Sequence, residues 1–540
     1  MQTLRRTVAL LTFPAIAYLG AACERTGTPT ASTAVPISAA TYPPPTRWVN
    51  SSDITPMPPG TSCMNAGYMS ITAAVTASMP GDVIQVCPGP YGENVTINIA
   101  NLTLLGAQVG NPVATRTFGG PLESTVTGTN LTAGVPVFQV AATNVTIDGF
   151  SITNSVVSGD AFGIGVKVTG SDAVIANNIV HIVTTPDPNG AAQAIYLQNG
   201  PDRVSILGND LKYVQSNKSA KGVFVGDAAS TDASTNILIE GNSITNITSV
   251  QVPTSMIPAK GAYGILINNG NGTTSNSGLE IRDNTINSLS SLGWVHAIGL
   301  EANTPGVVVQ GNSISILVPA PGGSVAVWFE HENTSYATGH VNQNNLDVTI
   351  ADFGIAVEPS TPGTGSVDGT CNWWGDPNGP GPVGPGAGAM VSPRVDYTPW
   401  LTAPAPGGPC IGGVPSGKVT GGGQVQVNIT GGKGSFGFNA KNEAGVGGSG
   451  HLNYLNHATR AHLDCTVTLV TVLTATTAEF SGPCSPNSAA TSFRAHVEDN
   501  GKPGKNNNDK FKITYTDQFG PHVDEGGPGP IVSGNIEIHQ

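Results

Sequence analysis

Three phrases in the middle of the chain end in glutamate: Ile298-Gly299-Leu300-Glu301, Val327-Trp328-Phe329-Glu330 and Ile355-Ala356-Val357-Glu358. In each, inward-facing apolar residues alternate with outward ones, the pattern of a half-buried strand. If such strands stack about 4.8 Å apart, the three carboxyls form one outward column. Stacked like charges raise one another's pKa, which keeps a carboxylic acid protonated near neutral pH. Adjacent members would stand near the roughly 5 Å of a retaining glycosidase pair, and the outer two near the roughly 9 Å of an inverting pair. Glu301, Glu330 and Glu358 are therefore the candidate catalytic residues, with His331 beside Glu330 as an assistant. The same trio would alternatively hold Ca²⁺, an oxygen-seeking cation, or do no more than keep a β surface soluble. No other metal and no organic cofactor is expected.

Read backwards, the glutamate column continues as Asn268, Gly226, Gln198 and Lys167, and the outward column beside it as Ala356, Trp328, Gly299, Leu266, Phe224 and Tyr196. Polar groups next to aromatic rings suit sugars, whose apolar faces stack while their hydroxyls hydrogen-bond. Tyr196, Gln198, Phe224, Asn268, Trp328 and His331 are thus the expected substrate-binding residues. A hydrolase is better supported than a lyase, because Lys167 lies four coils from Glu301 and no cluster of aspartates accompanies the glutamates. Elsewhere, Glu240 and Arg282 read as a surface ion pair worth at most about 1 kcal/mol. The histidines near the C-terminus lack metal-ligand spacing.

A repeat must position these residues. From about 100 to 374 one phrase recurs, as in Val204-x-Ile206-x-x-Asn209-x-Leu211 and Leu279-x-Ile281-x-x-Asn284-x-Ile286. Its asparagine falls at 178, 209, 242, 284, 312, 344 and 372, with Phe150 and Ala107 in the earlier places. Self-similarity at this period marks a solenoid, and stacked asparagines can bond one another from coil to coil. Leucine-rich repeats need more leucine and a helix per unit, so a parallel β-helix is expected. The composition agrees: 70 glycines, 41 prolines and only 11% charged residues leave little for ion-paired surface helices. A net charge of −13 argues against nucleic acid as a partner.

These repeats resemble the right-handed parallel β-helix of the pectin-lyase-like superfamily. The opening Pro80-Gly-Asp-Val-Ile-Gln-Val-Cys-Pro-Gly-Pro-Tyr91 is similar to the start of its bacterial repeat proteins. Cys371-Asn-Trp-Trp-Gly-Asp-Pro-Asn-Gly-Pro380 and Val395-Asp-Tyr-Thr-Pro-Trp-Leu401 are similar to their closing motif. The resemblance implies fold rather than activity, since the superfamily spans lyases, hydrolases, epimerases, accessory proteins and adhesins. Gly417-Lys-Val-Thr-Gly-Gly-Gly423 and Phe436-Gly-Phe-Asn-Ala-Lys441 resemble a small C-terminal domain of unassigned role on secreted bacterial proteins.

The expected class is all-β: a right-handed parallel β-helix with a short N-terminal capping helix, then a small antiparallel β domain. Its expected parts are a signal peptide (1–23), a disordered tether (24–58), the β-helix (59–401), a Pro/Gly linker (402–417) and the C-terminal domain (418–540). Arg5-Arg6, the apolar run Val8–Leu19 and Gly20-Ala21-Ala22 form an export signal, too short to span a membrane. The run into Cys23 resembles a lipoprotein signal and makes Cys23 the lipidation candidate, with ordinary cleavage near Ala22 as the alternative. The other six cysteines allow fifteen connectivities. Neighbour pairing, Cys63 with Cys87, Cys371 with Cys410 and Cys465 with Cys484, gives one bridge per segment.

The functional expectation is an exported monomer, secreted or anchored at the cell surface or outer membrane by lipid. It binds a polysaccharide or cell-envelope glycan and in the stronger version cleaves it. The rival is a non-catalytic surface or adhesion protein whose β-helix displays the C-terminal domain.

Overall fold

The computed structural model describes residues 42–539 apart from 54, 131–133, 157–161, 188–189, 227–231, 251–260, 270–273, 318–319, 349–352, 382–386, 409, 411–416, 428–431, 443–447, 475, 502–507, 518–519 and 526–530. The expected signal peptide, Cys23, most of the tether and, within the linker, residues 409 and 411–416 lie outside the described residues.

The chain is a parallel β-helix of about 9 turns followed by a small antiparallel β region. Each coil contributes short strands to three parallel sheets, of twelve, nine and nine strands among the described residues. Inward Ile, Val and Leu from every coil fuse into one continuous core. A short helix, Ile71–Thr76, closes its N-terminal end, burying Ile71, Ala74 and Val75. The Ser70 hydroxyl caps it by accepting from the Ala73 N–H at 3.1 Å, and Glu93 accepts from the N–H groups of Ile71 and Thr72 at 2.7 and 2.8 Å. The long sheet begins earlier than the expected tether boundary. Arg47–Val49 pairs with Val83–Val86, Val49 is fully buried, and Arg47 is tied to Asp82. Proline- and threonine-rich neighbours mask so short an alternation in the sequence.

The asparagine column is a ladder of buried amides. Asn209 Oδ1 accepts from the Asn178 backbone N–H at 2.9 Å and from its Nδ2 at 3.1 Å. Asn242, Asn284, Asn312, Asn344 and Asn372 repeat the pair of bonds in turn. Each amide also donates to a carbonyl of the preceding coil, as Asn209 does to Ile175 at 2.8 Å. The ladder therefore meets the polar groups of a buried corner that water cannot reach. The residue before each ladder asparagine has positive φ, for example Asn177, Asp283 and Gln343. At Gly311 a Cβ would lie 2.0 Å from Asp283 Oδ1, so that corner also needs the missing side chain.

The C-terminal region stacks two five-stranded antiparallel sheets around Phe436, Phe438, Tyr454, Phe480 and Phe511. Disulfides join Cys63 to Cys87, Cys371 to Cys410 and Cys465 to Cys484, the neighbour pairing. Asn345 holds the linker through two bonds to Ala405, of 3.0 and 2.7 Å. This region lies against the twelve-stranded sheet. Glu240 and Arg282 do pair in register, but not as an exposed ion pair. Arg282 is 1% exposed and binds Glu479 of the C-terminal region as well as Glu280 at 2.8 Å. The sequence pattern of one coil carries no sign of a surface covered by a distant segment.

Candidate functional site

The third sheet, whose strands include Ala262–Ile267, Val295–Leu300, Ser324–Phe329 and Phe353–Val357, presents the candidate residues on its outer face. Its ladder runs straight into the glutamates. The N–H groups of Glu301, Glu330 and Glu358 donate to Ile267, Leu300 and Phe329 at 2.8, 3.2 and 2.9 Å. The three carboxyls thus stand one per coil in one column.

Their environments differ. Glu301 is buried, 6% exposed, and accepts from Asn268 Nδ2 at 2.9 Å. His296 Nδ1 lies 3.4 Å from Glu301 Oε1 but is too poorly directed for a hydrogen bond. Tyr263 is the third group on Glu301. Its hydroxyl pKa is raised well above the usual value by burial and then by the charge and hydrogen bonding of Glu301. Trp294 Nε1 donates to that hydroxyl at 2.6 Å. The tyrosine ring lies over Gly299, whose Cβ would meet it at 3.2 Å.

Glu330 has the opposite surroundings. Among the described residues no donor reaches its carboxyl. Burial first, and then the charges of Glu301, Glu332 and Glu358, raise its pKa to about 8. Glu358 is lowered: burial acts against it, but hydrogen bonds from Ser360 and His331 outweigh that. The Ser360 hydroxyl donates to Glu358 Oε1 at 2.8 Å, and His331 approaches Oε2 with its backbone N–H at 2.9 Å and Nδ1 at 3.2 Å. Glu330, His331 and Glu358 can also bring one ligand atom each within 4.8 Å of one another. An imidazole in that set departs from the all-oxygen shell that Ca²⁺ prefers.

The aromatic column is in register from Tyr196 through Phe224, Leu266, Gly299 and Trp328 to Ala356. Tyr196 and Phe224 are buried and stack on each other, centroids 5.0 Å apart at 6°. Neighbouring coils set parallel rings at stacking distance, so the faces expected to receive sugars are occupied by each other. Trp328 is half-buried and stacks on His296 at 5.2 Å. Lys167 belongs to this aromatic column, paired with Tyr196 and 5.6 Å from its ring, rather than to the glutamate column. The earliest coil lacks the pattern that fixes register, which accounts for that two-residue slip. Gln198 remains in the glutamate column, next to Leu197 and bonded to Val168, away from the carboxyl cluster.

Sequence reasoning missed Tyr263, His296 and Trp294. The signal was present, since Tyr263 and His296 are equivalent positions in a third outward column that continues as Lys221 and Gln193. The Gln193 Oε1, buried, has no hydrogen-bond partner among the described residues.

Residues 57–260 match the profile of a family described as a protein of unknown function, DUF1565. No curated protein matches the chain. Among solved structures, the mannuronan C-5 epimerase AlgE4 A-module of Azotobacter vinelandii aligns at 11% identity and a TM-score of 0.24, covering 65% of this chain and 100% of that one.

Proposed function

We propose that the outer face of the third sheet binds a polysaccharide and that Glu330 is the general acid for cleaving a glycosidic bond there. One observation carries the reading: a carboxyl that no donor reaches among the described residues, pushed to about 8, stands in one column with carboxyls that have donors. Two carboxyls with environments driven apart are the arrangement that divides acid from base at one pH. Glu330 gives its proton to the leaving oxygen. Glu301, on which Asn268 and Tyr263 converge, serves as nucleophile or base one coil away, near the roughly 5 Å of a retaining pair. Trp328 and His296 supply a half-buried aromatic edge beside the acid, and Glu358 with His331 borders the other side.

The three disulfides fit an oxidising compartment, and no helix among the described residues is long and apolar enough to cross a membrane. We accordingly read residues 1–23 as an export signal and Cys23 as the lipid attachment point. A Cys23→Ala variant should leave the membrane fraction, and its retention there would count against the anchor.

The test of function is a panel of neutral and acidic polysaccharides assayed for new reducing ends and for unsaturated products. Wild type should generate reducing ends without unsaturation. Glu330→Gln and Glu301→Gln should each lower the rate by about 10²-fold or more. Activity untouched by both substitutions overturns the assignment.

A further inference from the structure

The C-terminal region does not seal fully onto the twelve-stranded sheet. Between them lies a cleft of about 320 Å³ lined by residues of both. That is the lower end of the roughly 300–1,000 Å³ of small-molecule sites, which favour boundaries between two bodies. One wall is a corner of the β-helix. Gly241, Asp283, Gly311 and Gln343 take the same place on four successive coils, each directly before a ladder asparagine and each with positive φ. Two of the four carry no side chain, which leaves the corner recessed. The facing wall is a sheet of the C-terminal region, where Ser481, Arg494 and Thr514 form one cross-strand row and Ser492 and Thr516 the next. The linker closes one end, where Asn345 holds Ala405 beside Pro406. Pro406 is exposed and Gln343, Ser492 and Thr516 are half-buried, so the cleft opens to solvent.

The polar groups of this cleft are largely unspent. Glu240 lines it and is 9% exposed, yet no donor reaches its carboxyl among the described residues. A carboxyl taken out of water without a donor is unfavourable, and a ligand that brings one relieves it. The side chains of Gln343, Ser481, Ser492, Thr514 and Thr516 likewise make no hydrogen bond among the described residues. Asp283 is engaged through Oδ2, by Arg494 at 2.7 Å.

The charge around Glu240 selects against two ligand classes. A cation would stand against Arg282, Arg494 and Lys512, and an anion against Glu240 and Asp283. A neutral polyhydroxyl ligand meets neither penalty. Its hydroxyls can donate to Glu240 and exchange hydrogen bonds with the serines, threonines and Gln343, while the apolar face of its ring meets Pro406 and Ala405.

We propose that this cleft is a saccharide-binding site that takes a neutral sugar unit of an oligosaccharide, with Glu240 as the acceptor for its hydroxyls. The site lies on a different sheet from Glu330 and stands on its own chemistry, whatever the third sheet does.

The test silences the third sheet first, with Trp328→Ala and Glu330→Gln together in the full chain. Isothermal titration calorimetry then uses neutral hexasaccharides of glucose, mannose, galactose and xylose, beside hexagalacturonate and a hexamer of glucosamine. At least one neutral hexamer should bind one to one with a Kd of about 1 mM or tighter, and both charged hexamers at least about tenfold more weakly than it. Adding Glu240→Gln, which keeps the shape of the side chain, should weaken binding by about tenfold or more. Adding Ser492→Trp, which fills the cleft, should abolish it. No binding of any neutral hexamer, tighter binding of a charged one, or an affinity indifferent to Glu240→Gln overturns the site. Binding seen only while Trp328 and Glu330 are intact overturns it too, and places the sugar on the third sheet instead.

Discussion

Two columns of charge on one β-helix meet opposite fates. On the third sheet, the carboxyls of Glu301, Glu330 and Glu358 stack with no lysine or arginine bonded to them among the described residues, and Glu330 is driven up to about 8. On the twelve-stranded sheet, Glu280 stands two residues from Arg282 and under Lys512, and is driven down to about 2 although burial pushes it the other way. The spacing from coil to coil is the same. What differs is whether the column alternates in sign and whether a second body brings cations to it. Burial therefore does not decide the protonation state of a carboxyl here. The sign of the neighbours does.

The largest expected effect comes from unbalancing the paired column. Glu479→Gln strands Arg282 without its main counter-charge and should cost about 3–5 kcal/mol of the stability measured by denaturant titration. Replacing both Arg282 and Glu479 with apolar residues of similar volume should be nearly neutral. A single variant as benign as the double one would break the contrast between the two columns.

The unpaired column should respond in the other direction. A carboxyl raised to about 8 in the folded protein is a burden only where the unfolded chain would ionise it. Glu330→Gln should therefore leave stability unchanged at pH 4 and increase it progressively from about pH 4.5 to pH 8. The gain is of order 1 kcal/mol after allowance for the solvent that still screens this half-buried group. Thermal unfolding at pH 4 and pH 9 measures it, and destabilisation at pH 9 would contradict the reading.

A smaller effect sharpens the same point. Glu358 is the last of the charges that raise Glu330, so Glu358→Gln should move the alkaline limb of activity down by a fraction of a pH unit. The pH–rate profile of the variant shows it, and a shift upward would deny the coupling.

Much of the fold was legible because solenoid sequences repeat their physics. The asparagine phrase marks one corner per coil, and the structure spends each of those amides on a bond to the next. The glutamate column followed from the same register. Two things were not legible. Glu301 reads as an outward, solvated residue, because strand alternation tells inside from outside but not what the neighbouring columns lay over it. Tyr263 covers it only because Gly299 leaves the room. Arg282 reads as exposed for a similar reason, since its cover is supplied from about two hundred residues later in the chain, by Glu479. Local pattern encodes the coil, whereas contacts between distant segments leave no local period.

The central claim is that Glu330 is a protonated acid at neutral pH. Carbon-13 labelling of the glutamate carboxyls, with Glu330→Gln to assign its resonance, gives its titration directly. A midpoint near 8, and a lower one in Glu358→Gln, is the result expected. A midpoint near the ordinary 4.5 would contradict the account.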